Sequence, residues 1–135
     1  YDLGVRLVGS EMCIRDSFIN NLPSFIGFSN SVENITDGTQ AAVGITTALT
    51  LLASNGTDTA TTLADGTVIG QIKVIVHDVD GGNSILAVTD ALGFADLDFV
   101  DDGDTAMLMW TGTTGWAILS QQSVGTDTGL IDLAN

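Results

Sequence analysis

The amino-acid sequence predicts an all-β protein: a single domain of short antiparallel strands, arranged as a β-sandwich or barrel-like sheet, with an extended N-terminal arm. Three observations support this prediction. Turn-forming pairs such as Asn55-Gly56, Asp65-Gly66 and Thr111-Gly112 recur at the short intervals that connect antiparallel strands. The segments between these turns are β-branched and apolar, as strands are. A length of 135 residues is enough for one hydrophobic core.

The individual strands follow from the residues between the turns. The segment 67–79 is the clearest, because apolar residues occupy both of its faces, and we expect a central strand covered on both sides. Further strands are predicted at 84–89, 95–100, 105–111 and 115–122, and the last two form a hairpin. The segment 40–53 has the length and the Ala and Leu content of a helix, but its β-branched residues favour a strand at 45–53.

The β-rich body is predicted to span 43–122, between two less regular ends. Residues 18–42 form the predicted arm, where Phe18, Phe25 and Phe28 need a partner surface to bury their rings. Apolar arms of this kind often serve assembly. The tail, 123–135, is rich in Gly, Thr and Asp.

The first residues differ in character from the rest. The run 8–17 resembles a translated sequencing adapter, so we expect that residues 1–17 are not native. They contain the only tyrosine, the only cysteine and both arginines, namely Tyr1, Cys13, Arg6 and Arg15. We therefore expect no thiol chemistry, disulfide or basic arm in the native protein.

The charge of the chain excludes several partners. Over 18–135, fourteen acidic residues oppose the single base Lys73, a formal charge of −13. Nucleic-acid binding depends on basic side chains that displace counterions, and anionic membranes attract the same residues. We therefore expect neither partner. No apolar run reaches the ~18 residues of a membrane helix, and 44% hydrophobic residues is too many for a disordered chain.

Clustered carboxylates form the candidate site with most ligand atoms. Five of them fall within nine residues and could bind Ca²⁺, which would relieve their mutual repulsion: Asp96, Asp98, Asp101, Asp102 and Asp104. The run 78–83 also begins like a calcium loop but lacks the later ligands. A solvated acidic face explains the same residues, and we expect no required cofactor. Glycoside hydrolysis by paired carboxylates is disfavoured, because Asp96 and Asp98 share one strand face.

Other residues capable of chemistry are few. His77 is the only histidine, and Asp78 beside it would face the opposite side of a strand. We expect an ordinary surface or interface histidine and no enzyme activity. Trp110 and Trp116 flank a tight turn, where rings pack into a core or, when exposed, stack on sugars. Packing is favoured, and a carbohydrate-binding or adhesin module with exposed aromatic residues is the alternative.

Three motifs within 45–119 support a resemblance to a known family. They are the turn Leu63-Ala64-Asp65-Gly66 leading into Gly70-Gln71-Ile72-Lys73, the Gly103-Asp104 turn into the strand ending at Trp110, and the closing strand at Trp116. This pattern resembles a small β-rich module in structural proteins of tailed, especially marine, bacteriophages. The resemblance implies a non-enzymatic virion protein, either a capsid decoration protein or a head- or tail-fibre component. It further implies assembly with other capsid or tail proteins on the particle surface as a homo-oligomer, with a trimer favoured.

Overall fold

The computed structural model describes residues 32–36, 41–56, 58–124 and 131–132. Within these ranges the chain forms ten strands and no helix. The strands make two five-stranded sheets that enclose the core between them. The predicted all-β class and the sandwich are therefore confirmed, whereas the sheets do not close into a barrel.

The order of strands across each sheet sets the positions of the candidate residues. Sheet A contains, in order, β1 (Val32–Thr36), β3 (Leu49–Ala53), β5 (Ile72–Val79), β8 (Thr105–Trp110) and β9 (Trp116–Gln122). Sheet B contains, in order, β10 (Ile131–Asp132), β7 (Asp96–Phe99), β6 (Ser84–Val88), β4 (Thr59–Leu63) and β2 (Ala41–Val43).

The first six strands alternate between the two sheets, so the chain winds as a flattened coil. Because each strand returns to its sheet after two reversals, β1, β3 and β5 pair in parallel, and so do β2, β4 and β6. The pairs formed by β7 to β10 are antiparallel. The prediction of antiparallel strands is thus wrong for the first half of the domain. A glycine-rich turn that crosses between sheets has the same spacing and composition as a hairpin turn within one sheet.

Most predicted strands are present. The interpretation of 45–53 as a strand is confirmed for 49–53, which form β3, whereas 45–48 belong to the turn between β2 and β3. The hairpin is confirmed by the antiparallel pair β8 and β9. The segment 67–71 forms a turn that precedes β5. Part of the predicted arm, 32–36 and 41–42, belongs to the sheets, and Phe18, Phe25 and Phe28 lie outside the described residues.

Strand β5 is central, as predicted, but only one of its faces is buried. Lys73, Ile75 and His77 point into the core, whereas Ile72, Val74 and Val76 are partly exposed on the outside of sheet A. The expectation that both faces are covered is therefore wrong. The core face is completed by fully buried residues from both sheets: Leu52, Leu63, Leu86, Leu97, Phe99, Leu108 and Trp116. Each such side chain contributes about 1.5–3 kcal/mol by leaving water.

The two ends of the sandwich differ in chemistry. At one end, here called the acidic end, the turns and the last residues of β5 carry exposed or half-exposed carboxylates: Asp58, Asp78, Asp80, Asp101 and Asp102. At the other end, the tryptophan end, the turn 64–71 meets the hairpin turn through a hydrogen bond of 2.8 Å from Gly70 N to Trp110 O. There Val68 and Ile69 are exposed by 66% and 76%.

Candidate functional site

His77 is buried in the core, which corrects the expectation of a surface histidine. It is 0% exposed. Its Nδ1 lies 3.1 Å from the Asp101 carbonyl oxygen, so Nδ1 carries the proton and donates it, since a carbonyl can only accept. Its Nε2 lies 3.4 Å from the Ser54 hydroxyl oxygen. The alternation of β5 could have signalled this burial, because His77 shares its face with Ile75.

The pair of Ser54 and His77 has the residue types of a nucleophile and its base, but the geometry points to a structural role. Both side chains are 0% exposed, so no substrate atom reaches the Ser54 hydroxyl. That hydroxyl also hydrogen-bonds the carbonyl of Gly82 and accepts the N–H of Gly81 at 3.3 Å. The pair therefore ties together the turns that form the acidic end.

Lys73 forms a buried ion pair with Glu33. The two side chains are 0% and 23% exposed, and Nζ lies 3.6 Å from Glu33 Oε2. The ammonium donates to Gly44 O at 2.7 Å, Thr47 O at 2.8 Å and Thr47 Oγ1 at 3.0 Å. Glu33 accepts from Gly44 N at 3.0 Å and Thr50 Oγ1 at 2.7 Å. Burial lowers the pKa of Lys73, and the charge and hydrogen bond of Glu33 partly offset that effect.

These contacts make the ion pair a clamp within the fold. Glu33 comes from edge strand β1, Gly44 from the turn after β2 and Lys73 from central strand β5, so the ion pair connects these three elements. Each charge would be costly to bury without the other. An inward-pointing charge under an edge strand also discourages unwanted pairing of that edge. This role was not predicted from the sequence, although Lys73 lies on the same face of β5 as Ile75 and His77.

The five carboxylates proposed as a calcium site occupy different surroundings. Asp96 and Asp98 lie on the outer side of β7, beside Ala87 and Ile85 of β6. Asp101 and Asp102 lie in the following turn.

Asp104, the fifth of them, is 0% exposed and caps this turn. Its Oδ2 accepts the N–H groups of Val100 and Asp101 at 2.9 and 3.1 Å, and Oδ1 accepts that of Val124 at 2.6 Å. Within the described ranges, no group of three or more His, Cys, Asp or Glu residues could hold a metal ion. Calcium binding by these residues remains a prediction.

Both tryptophans belong to the core. Trp110 and Trp116 are 7% and 0% exposed, and their ring centroids lie 5.4 Å apart. Trp116 Nε1 donates to Ala64 O at 3.0 Å, which satisfies its only polar group. The predicted packing role is therefore confirmed, and neither ring is available for stacking on a sugar.

The outer side of sheet A carries a group of half-buried apolar side chains. We call it the apolar face and define it by the apolar outward side chains of β3, β5 and β8, beside which the outward Thr105 and Asp78 lie: Leu49, Leu51, Ile72, Val74, Val76, Met107 and Met109. All are partly exposed, and none is charged. The register aligns Leu49, Val74 and Met107 in one row across three strands. Val32 and Leu119, on the edge strands, are exposed by 48% and 49%.

The outer side of sheet B has the opposite chemistry. Its outward side chains are small, polar or acidic apart from one isoleucine: Ala60, Thr62, Ile85, Ala87, Asp96 and Asp98. A partner that excludes water would therefore gain far more by covering sheet A than by covering sheet B.

No family model matches the chain, and no curated protein matches it. Among the described residues, no helix is long and apolar enough to cross a membrane.

Proposed function

We propose that this protein is a non-enzymatic structural component of a virion surface, either a capsid decoration protein or part of a head or tail fibre. The observation that carries the proposal is the contrast between the two broad surfaces of the sandwich. The apolar face is uncharged, whereas sheet B and the acidic end carry carboxylates. A molecule with this asymmetry is suited to attach by one side and to present an anionic, well-hydrated side to solvent.

The surroundings of the polar core residues support a structural role. His77, Ser54, Lys73 and Asp104 have the functional groups that catalysis commonly uses, and each is 0% exposed and hydrogen-bonded to backbone atoms. Groups held in this way stabilise turns and strand contacts. The absence of enzyme activity remains part of the proposal.

Carbohydrate binding is the alternative that the sequence left open. Stacking on sugars needs an exposed ring. In the described ranges every Phe and Trp side chain is buried, namely Phe94, Phe99, Trp110 and Trp116. The described surface therefore favours assembly over sugar binding.

Mass spectrometry of virus-like particles, purified from a sample that contains this sequence, tests the proposal. Lys73 is the only tryptic site after Arg15, so trypsin would give two very long peptides, and chymotrypsin or Asp-N should be used instead. We expect peptides from Phe18 onward to co-purify with capsid proteins through a density gradient. Particle-free fractions of the same gradient are the control. Peptides confined to those fractions would contradict the proposal.

A further inference from the structure

We propose that Asn55 is a site of spontaneous deamidation, and that its isoaspartate product loosens the acidic end of the sandwich. Asn55 and Gly56 lie in the turn between β3 and β4, and both residues are exposed. The modification is a reaction of the folded chain with water, and it is independent of the virion role.

The reaction needs only the asparagine, the residue after it and water. The backbone nitrogen of Gly56 loses its proton to hydroxide and attacks the side-chain Cγ of Asn55, from which ammonia leaves. Water then opens the cyclic succinimide. Opening at Cγ gives aspartate, whereas opening at the main-chain carbonyl carbon gives isoaspartate, whose main chain is longer by a methylene. In both cases an amide and water become a carboxylic acid and ammonia.

The turn leaves the reacting atoms free to meet. Asn55 and Gly56 lie beyond the end of β3 at Ala53 and before the start of β4 at Thr59. Strand pairing therefore does not restrict the rotation about the Asn55 Cα–C bond that brings the Gly56 nitrogen to Cγ. Gly56 has no side chain to hinder the attack, and a Cβ built on it would meet nothing within 4 Å.

The two other asparagines in the described ranges are restrained by strands. Asn34 lies in β1, and Ile35 after it is 5% exposed. Asn83 precedes Ser84, which begins β6 and is 0% exposed. The backbone nitrogen that would attack belongs in each case to a strand paired with its neighbour, so it cannot turn without breaking that pairing. We therefore expect the folded chain to react at Asn55 before either of them.

The packing around residue 55 determines what the product does. Gly81 lies so close that a Cβ on it would be 2.6 Å from Gly56 N and 2.9 Å from the carbonyl carbon of Asn55. Ser54 Oγ also holds this turn, because it accepts the Gly81 N–H at 3.3 Å and donates to Gly82 O. A main chain longer by a methylene cannot fit in this contact, so the turn that contains Gly81 and Gly82 must move away from Ser54.

The added charge matters less than the added methylene. Deamidation places a further carboxylate at the acidic end, where Asp58 and Asp80 are exposed. Repulsion between exposed charges is weak and is screened by salt. The variant Asn55→Asp adds the same charge without the methylene, so it separates the two effects.

Incubation of the full chain in warm, mildly alkaline buffer tests the proposal. Intact mass follows the replacement of the amide NH₂ by OH, and isoaspartyl methyltransferase labels only the isoaspartate. Asp-N peptides locate the site, because this protease cuts before an aspartate at position 55 but not before an isoaspartate. The variant Asn55→Ser removes the reactive amide, and its matched control is Asn83→Ser. Incubation in urea shows how the unfolded chain reacts.

We expect the native wild type and Asn83→Ser to gain isoaspartate at position 55 at equal rates, and Asn55→Ser to gain none there. The rate should fall in mildly acidic buffer, since the Gly56 nitrogen must lose its proton. In urea, Asn83 should react as well, because β6 no longer restrains Ser84. The isoaspartate form, separated by anion exchange, should melt roughly 5–10 °C below the wild type, and Asn55→Asp should melt close to it.

A native chain that stays unmodified at residue 55, while the chain in urea reacts there, would overturn the proposed site, because the fold would then protect it. So would equal modification of Asn83 and Asn55 in the native chain. An isoaspartate form that melts together with Asn55→Asp would overturn the loosening of the acidic end.

Discussion

The ion pair of Lys73 and Glu33 gives the sharpest prediction about stability. Glu33→Gln keeps an oxygen that can accept from Gly44 N and Thr50 Oγ1 but removes the charge facing a fully buried ammonium. At the observed 3.6 Å, an effective dielectric constant of about 20 gives an attraction of about 4–5 kcal/mol. We expect Glu33→Gln to lower the free energy of unfolding by about 3–5 kcal/mol, the usual result of leaving a buried charge without its partner.

Lys73→Met should lower the free energy of unfolding much less than Glu33→Gln does. Methionine fills a similar volume, no charge is left in the core, and Glu33 keeps its hydrogen bonds and 23% exposure. We expect a loss of about 1–2 kcal/mol, mainly from carbonyls that lose their donor. The free energy of unfolding of the double variant should then be close to that of Lys73→Met alone. The reason is that the Glu33 charge stabilises the fold chiefly by its attraction to the Lys73 ammonium, which Lys73→Met removes. Urea unfolding followed by tryptophan fluorescence measures all three.

The pH dependence has a definite sign. Burial lowers the pKa of Lys73 from its ordinary value of 10.5, so the unfolded chain holds this proton more tightly than the folded chain. The penalty for burying the charged form is present at neutral pH and is relieved as pH rises from the folded pKa towards 10.5. Stability of the wild type should therefore rise relative to Lys73→Met in that window. Two results would refute this account. One is a double variant whose loss in the free energy of unfolding equals the sum of the two single losses. The other is a wild type that loses stability relative to Lys73→Met as pH rises through this window.

Three further predictions follow from buried contacts. Trypsin should not cleave after Lys73 in the folded chain, because this side chain is 0% exposed and lies in the central strand. Cleavage should occur only in denaturant, as measured by the mass of the intact chain. Cleavage under native conditions would contradict the burial. Asp104→Asn should cost about 1–3 kcal/mol, since an amide nitrogen cannot accept one of the three N–H groups that the carboxylate now satisfies. The exposed Asp102→Asn is its control, and equal losses in urea unfolding would argue against the cap. Gly115→Ala should lower the melting temperature more than Gly56→Ala. Both glycines have a positive φ, but a Cβ at Gly115 would lie 2.4 Å from Asp90 O, while one at Gly56 meets nothing within 4 Å. Indistinguishable melting temperatures would show that the 111–115 turn can shift.

Local composition predicted much of the strand pattern. Alternation in 95–100, the apolar run in 105–110 and the glycines of the 111–115 turn predicted β7, β8 and the closing hairpin correctly. The strand Thr59–Leu63 was not predicted, although its threonines favour a strand, because it contains only one large apolar residue, Leu63. The partner of each strand was also not predictable for the first six strands, because parallel pairing depends on residues far apart in the chain.

The sequence by itself determined the all-β class, the positions of the turns and the strongly negative charge. Lys73 is the only lysine or arginine after Arg15. Only the tertiary structure decided which side of each strand faces the core. In β5 both sides are apolar enough to be buried, so periodicity alone could not select one. Packing against sheet B selected the side with Lys73 and His77, because Glu33, Thr47 and the Asp101 carbonyl satisfy their polar groups there. That choice left Val74 and its neighbours partly exposed on the outer side of sheet A.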